Sequence, residues 1–251
     1  MTEQQSGAVE KKSFWERLTP GITPALLRIG VSSAVMLVLY RFFCGTRFFK
    51  RVLRPTFEIG RDAFFGMAKH AWKDLSTFVL FFIIALLVAR LVDKNKPSEV
   101  GMSLGDWRKG LKWTGLFFAG MLPIVIAASF FPTFQQQYPL SDAAGESVGA
   151  FLIYQLLMLA YFLGWEFFFR GYMLFSLHKH IGNAAILVQM IPFALLHGSK
   201  PLPEALGAVF VGILLGYFAL YTRTFLYCAL VHFLVALSMD VAAVLQKSFG
   251  G

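Results

Sequence analysis

Cysteine is nearly absent from this chain, with Cys44 and Cys228 the two among 251 residues. That count excludes a disulfide framework and a thiolate metal cluster, and neither thiol sits in a recognisable motif. Charge is scarce too: 15% of residues are charged and 57% are hydrophobic, whereas a soluble domain carries about 25% charge. No internal repeat or low-complexity segment is visible. That argues against a transporter built from two matched halves with paired broken helices. The stretch 132–147 (PTFQQQYPLSDAAGES) holds no Lys or Arg, and between 147 and 240 the acids are Glu166, Glu204 and Asp240 alone. The first 22 residues are polar and mixed in charge. They lack the basic start and early apolar stretch of a cleaved signal peptide, so the first apolar helix is expected to stay as an anchor.

What the chain has is long apolar runs. Several approach or exceed the roughly 20 residues that cross a bilayer, so the expected fold is all-α, a polytopic membrane bundle of about 6–8 transmembrane helices. Residues 23–43 read as a first apolar helix interrupted by Arg28, and residues 75–92 as a second span. Between them, 44–74 is basic, and Phe57 to Trp72 mixes aromatics with charge as an interfacial amphipathic helix does. A Pro- and Gly-broken linker follows. A third span at 111–131 contains Pro123, and a fourth starts near Val148 and runs through Glu166 and Arg170. Shorter apolar helices are expected at 183–197, 204–222 and 225–246.

The net charge is +9, and 18 of the 23 Lys and Arg lie within residues 1–112. These cations flank apolar helices and do not form a folded patch, which excludes nucleic acid as the partner. Membrane lipids, through their anionic headgroups, account for them better.

Within the apolar runs four ionisable side chains stand out: Glu166, Arg170, His197 and His232. An acid or base at membrane depth is costly and marks a functional site by default. Each also has a plain structural explanation. Glu166 and Arg170, four apart, share a helix face and can simply neutralise each other. His197 ends an apolar helix and shares a face with Phe193, with Pro192 kinking the turn. His232 lies deep in the last span, and Asp240, eight residues on, is only loosely on its face. Together the groups carry more weight, because separate helices each contribute one proton-active side chain. Ala208, Gly212 and Gly216, at four-residue spacing between the two His helices, would let backbones approach closely.

The segment from about 147 to 240 resembles the CPBP family of intramembrane proteases, which includes the CAAX prenyl endopeptidases of the Rce type and bacteriocin-processing or self-immunity proteins. That family carries EExxxR, FxxxH and HxxxN motifs on successive membrane helices. This chain reads Trp165-Glu166-Phe167-Phe168-Phe169-Arg170, then Phe193 to His197, then His232 to Ala236. SLGDWRKGLKW at 103–113 is similar to the segment that often precedes the domain. Composition and patterning divide the chain into a polar tail over 1–22, N-terminal membrane helices, a basic segment and a linker over 23–110, a core over 111–246 and a short tail over 247–251, and the resemblance implies that the core is protease-like. It also implies a multi-pass protein of a bacterial cell membrane. Two positions depart from the pattern: Trp165 replaces the first Glu of the pair, and Ala236 replaces the Asn.

The activity implied is hydrolysis of a peptide bond in a peptide or membrane-protein substrate at membrane depth. Glu166 with His197 would take a proton from the attacking water. His232 would donate to the oxyanion, and Arg170, Phe193, Trp165 and Asp240 would support the site. Two cofactor arrangements are compatible. Glu166, His197 and His232 could form a His2Glu zinc site with an open fourth position, or the residues could act without a metal. The second is favoured, because the zinc arrangement spends the carboxylate as a ligand and leaves no separate base. The departures at Trp165 and Ala236 leave one alternative open, a catalytically impaired member of the family that serves as a membrane scaffold or immunity protein.

Overall fold

A computed structural model describes residues 20–59 and 63–249. Most of the polar tail expected at 1–22 lies outside the described residues, as do residues 250 and 251. Helix α1 (Pro24–Leu39) starts where Thr23 Oγ1 accepts from the Leu26 amide at 3.2 Å, with Pro24 at its first position. It continues through a π-helical turn to Cys44. Short turns over Thr46–Phe48, Phe49–Leu53 and Arg54–Thr56 carry the basic segment.

Helix α2 (Ala63–Phe78) then runs without a break through a π-helical stretch, Val79–Ile84, into α3 (Ala85–Leu91). This corrects the separate interfacial helix and second span expected from the sequence. The candidate span is Phe65–Leu91, 27 residues long. Polar side chains along this helix are turned into the bundle: His70, Asp74 and Thr77 are buried, and Lys73 Nζ lies 3.3 Å from Asp74.

Helix α4 (Trp107–Ser129) is capped by Asp106 and continues past Pro123. The short α5 (Pro132–Gln137) follows. Helix α6 (Val148–Glu166), capped by Ser147, passes through a π-helical turn (Phe167–Met173) into α7 (Leu174–Ile181). The remaining helices are α8 (Ala184–Leu196), α9 (Leu202–Thr222) and α10 (Leu226–Phe249). Among the described residues there is no strand, and six helices are long and apolar enough to cross a membrane. The protein is an all-helical, multi-pass membrane protein.

Helix α6 is the axis of the arrangement, with α2 along one side and α10 along another; α4 packs on α10 and α9 on α8. Phe167, Phe168 and Phe169 are all fully buried, with the Phe168 ring stacked 4.1 Å from Phe81. Leu152, Leu195 and Phe210 point outward, where a bilayer would cover them. The small residues of α9 meet α8. A Cβ on Gly212 would come within 2.9 Å of Met190, one on Gly216 within 2.9 Å of Ile186, and the Gly212 carbonyl accepts from Gln189 at 2.9 Å. The stripe therefore seats the His197 helix on its neighbour.

Gly164 marks the α6–α2 crossing, since a Cβ there would lie 2.9 Å from Phe78 Cα and 3.2 Å from the Thr77 carbonyl. Backbone cannot yield as a side-chain tip can. Gly164→Ala is expected to cost about 1–3 kcal/mol, seen as a lower Tm of the purified protein in detergent. An unchanged Tm would refute this close contact.

Candidate active site

Glu166 closes α6, and the wide turn after it carries Arg170 one turn on. Single π-helical turns inside α-helices recur at functional sites. Both side chains are fully buried, and Arg170 Nη1 lies 3.2 Å from Glu166 Oε1 and 3.1 Å from Oε2. Neutralisation by an adjacent opposite charge is what makes such burial tolerable. The guanidinium also stacks on Phe193, 3.9 Å from the ring centroid. Phe193 thus covers the pair from α8, a cation–π role that its place in the sequence does not announce.

His232 comes from α10, 66 residues further along, and its Nδ1 lies 2.8 Å from Glu166 Oε1. A carboxylate only accepts, so Nδ1 carries the proton and Nε2 is left as the ring's other reactive atom. The ring sits 4.3 Å from Phe162 and 6.4 Å from Phe193. Its side chain is 22% exposed while that of Glu166 is 0% exposed, so the imidazole forms the accessible edge of the pair. His197 follows the last turn of α8, with Nδ1 2.8 Å from the Phe193 carbonyl. A carbonyl likewise accepts, which again leaves Nε2 free. Its ring lies 4.6 Å from Phe193 and 6.0 Å from Trp165. Phe193 therefore touches both imidazoles and the guanidinium. The sequence-predicted group Glu166, Arg170, Phe193, His197 and His232 is brought together.

Trp165 and Ala236 fill their positions with apolar bulk. The indole is 3% exposed and packs against Tyr161 at 5.4 Å and Phe169 at 5.1 Å, with its N–H unpartnered. Ala236 packs against the buried group of Tyr154, Met158 and Phe162. Asp240 is buried but accepts from Gln155 at 3.0 Å. That bond ties α6 to α10 about 12 Å beyond His232 along the helix.

The zinc arrangement is not supported. Among the described residues no group of three or more His, Cys, Asp or Glu is placed to hold a metal ion. The reason is visible in the contacts. Glu166 is spent on Arg170 and His232, and a guanidinium 3.1 Å from the carboxylate opposes a divalent cation by like charge.

Sequence reasoning passed over a second polar cluster. Asp74, fully buried on α2 with both carboxylate oxygens lacking a hydrogen bond, stands near Tyr154 of α6. The available signal was an acid beside Lys73 at the head of an apolar run. Near the loop after α8, Lys200 donates to the Tyr138 hydroxyl at 2.8 Å, and that hydroxyl donates to Glu204 at 3.0 Å. Burial pushes the Lys200 ammonium below its ordinary pKa, while Glu204 pulls it back up. This stitch holds the polar loop after α4 against the turn that follows His197.

The fold and site define a class first: an intramembrane helix bundle with a buried Glu–Arg pair and two imidazoles. Residues 147–238 match the Rce1-like family, described as type II CAAX prenyl endopeptidase Rce1-like. The segment runs from the cap of α6 past His232 and Ala236, so the family resemblance read from the motifs holds across all of them. No curated protein and no solved structure matches the chain.

Proposed function

We propose that this protein is an integral-membrane endopeptidase that hydrolyses a peptide bond in a peptide or membrane-protein substrate. The observation that carries the reading is the 2.8 Å bond from His232 to Glu166, which places an imidazole at the edge of a buried, charge-balanced pair. The burial of Glu166 supports a different division of labour from the one the sequence suggests. A carboxylate with no exposed surface, held by Arg170 and His232, is a positioning group and counter-ion, not the direct base. His197, whose Nε2 is free, takes the proton from water as the resulting hydroxide adds to the scissile carbonyl. His232, oriented by its Nδ1 bond to Glu166, donates from Nε2 to the oxyanion in its doubly protonated form. The proton on His197 then passes to the leaving amine as the C–N bond breaks. No metal enters any step.

His232→Ala is expected to lower the hydrolysis rate by about 100–1,000-fold, the usual cost of one oxyanion donor. The measurement is turnover of a membrane-inserted peptide by purified protein in nanodiscs. Wild-type turnover in that variant would remove His232 from the mechanism. One specific observation favours a second reading, a scaffold without catalysis: both departures from the motif, Trp165 and Ala236, put apolar side chains where the family has a carboxylate and an amide. That reading predicts no turnover by the wild type.

A further inference from the structure

Outside the active site, a groove of about 780 Å³ lies between α1 and α2, open to the side. Leu39 and Phe43 form one wall, Ala71, Leu75 and Val79 the other, and Phe49 lines it as well. It follows α2 from Met67 to Ile84, about 25 Å at the helical rise, against roughly 15 Å for half of a hydrocarbon core. The Trp72 indole donates to the Phe43 carbonyl at 2.9 Å and ties the two walls together.

The chemistry changes at the Phe49 end. The Phe49 ring lies 6.0 Å from Phe65, and over Phe65 stand the Arg54 guanidinium at 5.4 Å and Lys69 Nζ at 5.9 Å. Lys50 is the exposed neighbour of Phe49. Among the described residues no acid lies within ion-pair distance of Lys50, Arg54 or Lys69. An apolar channel longer than one leaflet is deep thus ends at cations that have no counter-charge among the described residues.

We propose that this groove is a binding site for one anionic glycerophospholipid of the bilayer, with an acyl chain along α2 and the phosphate between Arg54, Lys69 and Lys50. The two halves of the site match the two halves of such a lipid. A zwitterionic lipid would leave the cations unbalanced, because its own cation cancels its phosphate. The proposal is independent of catalysis.

The test uses the full chain in nanodiscs of equal parts phosphatidylglycerol and phosphatidylcholine, gently released and weighed by native mass spectrometry. One phosphatidylglycerol per chain should be retained in preference to phosphatidylcholine. Arg54→Gln with Lys69→Gln should reduce that retention by about 10-fold or more, since each cation near an anionic surface is worth about 5-fold. Leu75→Trp, which fills the groove and keeps the cations, should reduce it too. Circular dichroism of each variant confirms the fold, and Leu75→Trp is read separately so that loss of charge and loss of groove are distinguishable. Equal retention of both lipids would overturn the proposal, as would full retention in either variant. So would a dimer whose crosslinks run through the groove, because a second copy would then be the occupant.

Discussion

His197→Ala is expected to slow peptide-bond hydrolysis by about 100–10,000-fold, the range spanned by general acid–base catalysis, with almost no change in the Tm. The asymmetry follows from the contacts. His197 gives one hydrogen bond, to the carbonyl of Phe193 on its own helix, and ring contacts to Phe193 and Trp165. One such bond is worth only about 1 kcal/mol net, so the fold should survive its loss. The free Nε2 is the atom the mechanism requires. Turnover and thermal unfolding of the same preparation check both halves of the expectation. A variant that cleaves at the wild-type rate would show that the proton goes elsewhere.

Arg170→Met should do the reverse, acting on the fold before the chemistry. Its guanidinium lies within 3.2 Å of both oxygens of a fully buried carboxylate. Removing it strands that charge in the bundle, at about 3–5 kcal/mol. His232 is the remaining partner, and it cannot replace a permanent cation. The second variant in the cycle is Glu166→Gln with Arg170→Met, which removes both charges. It should recover most of the lost stability, because a neutral, well-packed pair costs little relative to a buried ion pair. Denaturant or thermal unfolding in detergent reads all three proteins. A double variant no more stable than Arg170→Met would mean that packing on Phe193, not charge, is what Arg170 supplies. Activity should be lost in the double variant, since His232 would no longer face a carboxylate.

Much of this was legible in the chain because apolar length is a local property. The spans from Val148 onward and the pairing of Glu166 with Arg170 follow from helix periodicity and the four-residue spacing. The misreading at 57–92 came from the same rule. Aromatics interleaved with charges such as Lys69 look interfacial in one dimension, whereas the fold pairs Lys73 with the buried Asp74 and keeps one helix running to Leu91. The bond between Glu166 and His232 needed the motif resemblance, because no periodicity links residues 66 apart. Neither the stacking of Arg170 on Phe193 nor the tie from Gln155 to Asp240 could be read, since each depends on how two helices cross. The role proposed for Glu166 differs from the one read in the sequence for a tertiary reason, because its hydrogen bond to His232 forms only across the packed helices.

The most direct test is whether the purified wild type cuts a peptide bond with water. Protein in nanodiscs would be incubated with detergent-extracted membrane proteins in water enriched in heavy oxygen, and new carboxyl termini sequenced by mass spectrometry. The account predicts new termini that carry one heavy oxygen in the wild type and are absent in His197→Ala. No labelled termini from active-folded wild type, or equal labelling in the variant, would contradict it.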